Sequence, residues 1–94
     1  MKESNVQLNS KEAKGYEVSL GPVNLVMVVT DVGLIGCGAL DILGLDKFNI
    51  PAARVSGVST VDDVLAAELN LVNGAATEKG ILPGMTGREA LELL

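Results

Sequence analysis

The sequence predicts an α+β fold: an antiparallel or mixed β-sheet, with a strand meander over about residues 13–37, packed with three or four short helices. Two observations carry this. Short β-branched or alternating runs separated by Gly-Pro and Asp-x-Gly turns occupy the first forty residues. Thr60-Val61-Asp62-Asp63 and Thr86-Gly87-Arg88-Glu89, both helix-start patterns with an acid three residues after a threonine, mark the second half.

Val6 and Leu8 alternate with polar residues, as in a short edge strand after a frayed start, so residues 1–12 are expected to form an edge segment. Gly15 to Leu20 reads as a strand ended by the turn dipeptide Gly21-Pro22. Asn24 to Thr30 is a nearly continuous Val-rich strand, and Asp31-Val32-Gly33 turns the chain back into Leu34 to Cys37. Ala39 to Leu45 reads as a short helix that Pro51 keeps from continuing, and Ala53 to Val58 as the next strand. A helix from Thr60 through about Ala67, a last strand from Leu69 to Asn73, a helical turn from Ala75 to Lys79 and a terminal helix from Thr86 to Leu94 complete the plan.

The strand from Asn24 to Thr30 has Leu25, Met27 and Val29 on one face and Val26 and Val28 on the other, so both faces favour burial. One layer of helices covers only one of them, so either helices lie on each side or, as a chain this short favours, a subunit interface closes one face, which predicts a homo-oligomer.

Ninety-four residues suit one domain spanning 1–94, and the 48% apolar content with one Phe, one Tyr and no Trp requires an aliphatic core. A net charge of −5 without any basic cluster argues against nucleic-acid binding. The single cysteine rules out an intrachain disulfide, and the chain shows neither a signal-peptide pattern nor an apolar stretch of membrane-spanning length, so no membrane association and a cytoplasmic location are expected. The absence of His removes the usual general base and the commonest transition-metal ligand together. Neither a Ser-His-Asp nor a Cys-His mechanism is available within the chain, and neither a metal nor an organic cofactor is expected.

The candidate chemistry centres on Gly36-Cys37-Gly38 and Asp41. A thiol delivered by an apolar strand to a helix start has its pKa lowered by the oriented amides, and the flanking glycines admit a substrate close to the backbone. The alternative is a small buried apolar residue whose glycines serve the strand-to-helix bend. With Gly38 as cap, Asp41 falls in the first helical turn, where a carboxylate is stabilised by the dipole. Arg54, within an apolar strand, must be paired, with Asp41 or Glu17, or must face a cleft or interface. Arg88 stands in the first turn of the last helix, where the dipole disfavours a cation, which hints at use; Thr86 and Glu89 flank it in a complete capping box.

The words Gly36-Cys37-Gly38-Ala39-Leu40-Asp41, Ala53-Arg54-Val55-Ser56-Gly57-Val58-Ser59-Thr60 and Gly84-Met85-Thr86-Gly87-Arg88-Glu89-Ala90-Leu91 resemble, in order and spacing, the signature blocks of the YunC family. Its members are small bacterial and archaeal proteins classed as a domain of unknown function. The resemblance covers about Leu20 to the end, implies a compact α+β fold, and directs attention to Cys37, Asp41, Arg54, Thr60, Thr86, Arg88 and Glu89. It carries no activity with it.

Three functions follow as expectations. The leading one is binding of a small anionic ligand by Gly36, Gly38, Arg54, Thr86, Arg88 and Glu89, in an accessory rather than enzymatic role. The second is an enzyme with Cys37 as nucleophile and Asp41 or Glu89 as proton acceptor. The third is a structural subunit that assembles through the two-sided strand and binds no small molecule.

Overall fold

The computed structural model describes residues 1–94 and contains one six-stranded mixed sheet in sequential order. The strands are β1 (Lys2–Gln7), β2 (Glu12–Ser19), β3 (Asn24–Val29), β4 (Leu34–Gly36), β5 (Ala52–Arg54) and β6 (Leu71–Val72). The helices are α1 (Ile42–Asp46), α2 (Val61–Ala66), α3 (Gly74–Thr77) and α4 (Gly87–Glu92). No helix is long and apolar enough to cross a membrane.

β2 to β4 form the predicted antiparallel meander and β1 extends it, because each connection is a tight turn that reverses the chain. The predicted edge segment is a strand, with all six residues from Lys2 to Gln7 in register with β2. β4 and β5 pair in parallel, and α1 lies in the crossover between them. β6 returns antiparallel to β5 and closes the mixed sheet. β5 is shorter than predicted: Val55 still donates to the Gly36 carbonyl at 2.9 Å, but Gly57 at φ +72° then turns the chain away.

The two faces of β3 have different fates. Val26 and Val28 are completely buried, whereas Leu25, Met27 and Val29 are half-buried. The buried face meets α2 and α4 over a core that also holds Ile35, Val64, Ile81 and Leu91. Each such valine or leucine contributes about 1.5–3 kcal/mol on burial. The two helices meet closely at Gly87, where a Cβ would lie 2.0 Å from the Val64 carbonyl oxygen, so only glycine fits.

The α1 side is held by Asn73, the one polar residue in the buried set. Its Oδ1 accepts from Ala52 N at 3.1 Å and Ala76 N at 2.9 Å, while its Nδ2 donates to the Ile42 and Ile50 carbonyls at 3.1 and 2.9 Å. One side chain thus joins β5, the N-terminus of α3, and both ends of the α1 region.

Removing the Asn73 amide leaves two N–H and two C=O groups without partners, each costing about 1–3 kcal/mol when buried. Asn73→Ala is therefore expected to lower unfolding stability by at least about 3 kcal/mol, read from the denaturant midpoint. An unchanged midpoint would show that water replaces the amide at no cost.

Candidate functional site

The Gly36–Asp41 segment is a bend built around sulfur. Cys37 N donates to the Val26 carbonyl at 3.0 Å, extending the β3–β4 ladder by one residue. The Cys37 carbonyl then accepts from Leu40 N at 3.2 Å in a turn, and the Val26 N–H bonds the Cys37 Sγ at 3.4 Å. Cys37 is 6% exposed. A Cβ at Gly36 would lie 2.2 Å from Leu40 Cδ1, so a larger residue there displaces the end of the Leu40 side chain, whereas Gly38 faces open space.

The expected helix start at Gly38 is corrected: α1 begins at Ile42 and its N-cap is Asp41, whose Oδ1 accepts from Gly44 N at 3.0 Å. A carboxylate satisfies an orphan helical N–H directly and glycine has no side chain to do so, which favours Asp41 as cap. Cys37 consequently stands before a turn rather than on a helix terminus, and Asp41 is occupied with capping.

Arg54 ends β5 on the sheet face away from α2 and α4. Its Nε donates to Asn70 Oδ1 at 2.8 Å, and Asn70 Nδ2 reaches Ser56 Oγ at 2.6 Å. The predicted partners lie elsewhere: Asp41 caps α1, and Glu17 accepts from Val61 N at 2.9 Å on the opposite face. Thr86 and Glu89 form the complete capping box foreseen for α4, with Glu89 N to Thr86 Oγ1 at 3.1 Å and Thr86 N to Glu89 Oε1 at 2.9 Å.

Arg88 is exposed and donates through Nη1 to the Gln7 carbonyl at 3.2 Å, joining α4 to β1. It lines a cleft of about 480 Å³ between β1, α2 and α4, together with Lys2, Ser4, Glu17, Thr60 and Asp62. Cys37, Arg54 and Arg88 therefore occupy three separate regions. Of the nominated ligand-binding residues, only Arg88 reaches the cleft. The sequence singles out neither Lys2 nor Ser4, and it offers Glu17 only as a partner for Arg54. The one available signal was the alternation of Lys2, Ser4 and Val6 along an edge strand, which puts all three on one face.

No cluster of metal-ligating side chains occurs. The start of α2, which supplies Thr60 and Asp62 to the cleft, is fastened by a second complete capping box between Thr60 and Asp63. The Ser59 N–H, donating to Asp63 Oδ2 at 3.0 Å, holds the Asp63 carboxyl below its ordinary 3.8, with smaller contributions from the Thr60 hydroxyl and N–H.

The architecture and its capping pattern define a small α+β domain with one polar cleft and a separate buried thiol. Residues 36–94 match the family model described as "Domain of unknown function (DUF1805)", and the chain belongs to that family. The "Uncharacterized protein YunC" of Bacillus subtilis (strain 168) is 45% identical over 90 residues, covering 92% of this chain and 89% of that protein. The crystal structure of a protein of unknown function, TA1206 from Thermoplasma acidophilum, superposes with a TM-score of 0.91 at 27% identity, covering 97% of this chain and 89% of that one.

Because the folded Asp63 pKa is depressed, its contribution to stability is present above its unfolded value and is lost as pH falls through the folded one. Asp63→Asn is expected to flatten the acid loss of stability below pH 3.8, measured by thermal melts across pH. At Cys37, replacement by Ser retains an acceptor for Val26 N–H, so Cys37→Ala is expected to cost more, about 1–3 kcal/mol. Native Cys37 should react with a bulky disulfide reagent only through local opening, with a rate that rises steeply in denaturant. A fast reaction in native buffer would restore the thiol as a chemical centre.

Proposed function

We propose that this protein binds a small anionic metabolite in the cleft between β1, α2 and α4, in an accessory rather than enzymatic role. The observation that carries the reading is the state of Arg88: Nη1 is held by the Gln7 carbonyl, and the other guanidinium N–H groups have no protein partner in a cleft of about 480 Å³ that also receives Lys2. A planar guanidinium so fixed suits a carboxylate or phosphate, and the lysine adds a second positive charge.

The cleft also has an acceptor side. Glu17 uses Oε2 on the Val61 N–H, which leaves Oε1 for a ligand donor, and Asp62 adds a second carboxylate. Cations and carboxylates around one opening favour a ligand with both an anionic group and a hydroxyl or amine, such as a hydroxy acid, an amino acid or a sugar phosphate. A largely polar lining suits such a solute better than an apolar one. Thr86 and Glu89 serve this site indirectly, by setting the start of the helix that carries Arg88. Burial and backbone hydrogen bonding of Cys37 weigh against the cysteine-dependent enzyme.

Calorimetric titration with a panel of hydroxy acids, amino acids and sugar phosphates tests the reading. Arg88→Ala is expected to weaken the best binder at least about tenfold. Glu17→Gln, which keeps an acceptor for Val61, is expected to reduce discrimination between ligands with and without an amine. Lys47→Ala, at the far end of α1, should bind as wild type. A panel without any binder, or undiminished binding by Arg88→Ala, would overturn the proposal.

A further inference from the structure

We infer that the sheet face opposite α2 and α4 is the contact surface of a face-to-face homodimer, related by a two-fold axis that runs along β3. This surface is separate from the cleft. On β2, β3 and β4 it presents Tyr16, Val18, Leu25, Met27, Val29 and Leu34, all half-buried and without a covering helix. α1 packs against β5 and β6, and its leading turn places Leu40 over Gly36 of β4, which leaves β2 and β3 without a covering helix on this face. An apolar patch of this kind on a small domain favours a partner.

The partner is identified by the charges that end the central row. Cross-strand register lines up Glu3, Tyr16, Met27, Gly36 and Arg54, one residue from each of the first five strands. Glu3 and Arg54 thus stand four strand spacings apart, on the order of 19 Å, with Met27 at the midpoint. A two-fold axis over Met27 and parallel to β3 reverses the row across the strands and retains position along them. It sets Glu3 of one copy opposite Arg54 of the other, twice per dimer, as an isologous contact requires. Met27 packs on its own copy at the centre.

Arg54 is free for this contact, and Glu3 is held only by a long, solvent-exposed ion pair with Lys14. Arg54 spends only Nε inside the chain, on Asn70, and has no carboxylate within 4.0 Å; the one ion pair in the protein joins Lys14 to Glu3 at 3.7 Å. Glu3 is about half exposed there. The same operation carries Lys14, on the neighbouring row with Val29 and Leu34, across to the β4 side. There a hollow of about 240 Å³ lined by Val29, Leu34 and Ile50 has Asp31 among its lining residues. The apolar centre and both flanking charges are therefore complementary to a second copy of this chain. Two sheets packed about 10 Å apart leave Glu and Arg side chains long enough to meet.

Sedimentation equilibrium, with circular dichroism as a check on folding, tests this. Wild type is expected to be a dimer, and Met27→Glu a folded monomer. Glu3→Arg and Arg54→Glu are each expected to weaken dimerisation at least about tenfold, and the double variant Glu3→Arg/Arg54→Glu to recover most of the loss. That recovery depends on the two residues meeting across the interface, so it separates pairing from general damage. A wild type that stays monomeric throughout its soluble range would overturn the dimer, leaving the face to another occupant. A dimer indifferent to Met27→Glu would put the contact elsewhere, such as along the β1 edge. Single charge reversals without effect, or without rescue in the double variant, would overturn the register.

Discussion

The fold depends on one buried amide. Asn73 uses both lone-pair directions of its oxygen and both N–H groups of its nitrogen on backbone, and so fastens the start of β5, the cap of α3 and the two ends of the α1 crossover to one point. Without such a fastening, the parallel β4–β5 pair would rest on a short ladder and a five-residue helix, each weak in isolation. A fully satisfied buried polar group imposes a single arrangement, because every alternative strands several backbone groups away from water.

From that point the chain divides its sheet into two surfaces of different character. One face, against α2 and α4, is dry and aliphatic, and it extends toward β1 into a polar cleft where Arg88 ties the last helix to the first strand. The other face is apolar at its centre and charged at opposite ends of one row. The proposed ligand cleft and the proposed dimer face thus lie on opposite sides of one six-stranded layer, so occupation of one would leave the other geometrically free. The thiol belongs to neither: it completes the β3–β4 ladder where the backbone carbonyl has turned away.

Several features were legible because they are local. The meander follows from turn residues spaced along β-branched runs. The capping boxes at Thr60–Asp63 and Thr86–Glu89 require only residues three apart. The two-sided apolar character of β3 is legible in its unbroken run of apolar residues, whereas within one chain only Val26 and Val28 are fully buried and Leu25, Met27 and Val29 are half-buried. The start of α1 lies three positions later than the sequence pattern predicts because Gly38 and Asp41 both suit a helix start, and a turn at Cys37–Leu40 decides between them.

By itself the sequence determined the α+β class, the order of the elements, the aliphatic core, the absence of histidine chemistry and the family. Periodicity, turn chemistry and composition act over a few residues and need no knowledge of distant neighbours. Only the tertiary structure decided which charged residues share a site. It separated Arg54 from Arg88 by putting them on opposite sides of the sheet, gave Arg88 the company of Lys2 and Glu17, and enlisted Asn73 for contacts up to 31 residues away. Those pairings are fixed by strand register and by the packing of helices onto one face, and both are properties of the assembled sheet.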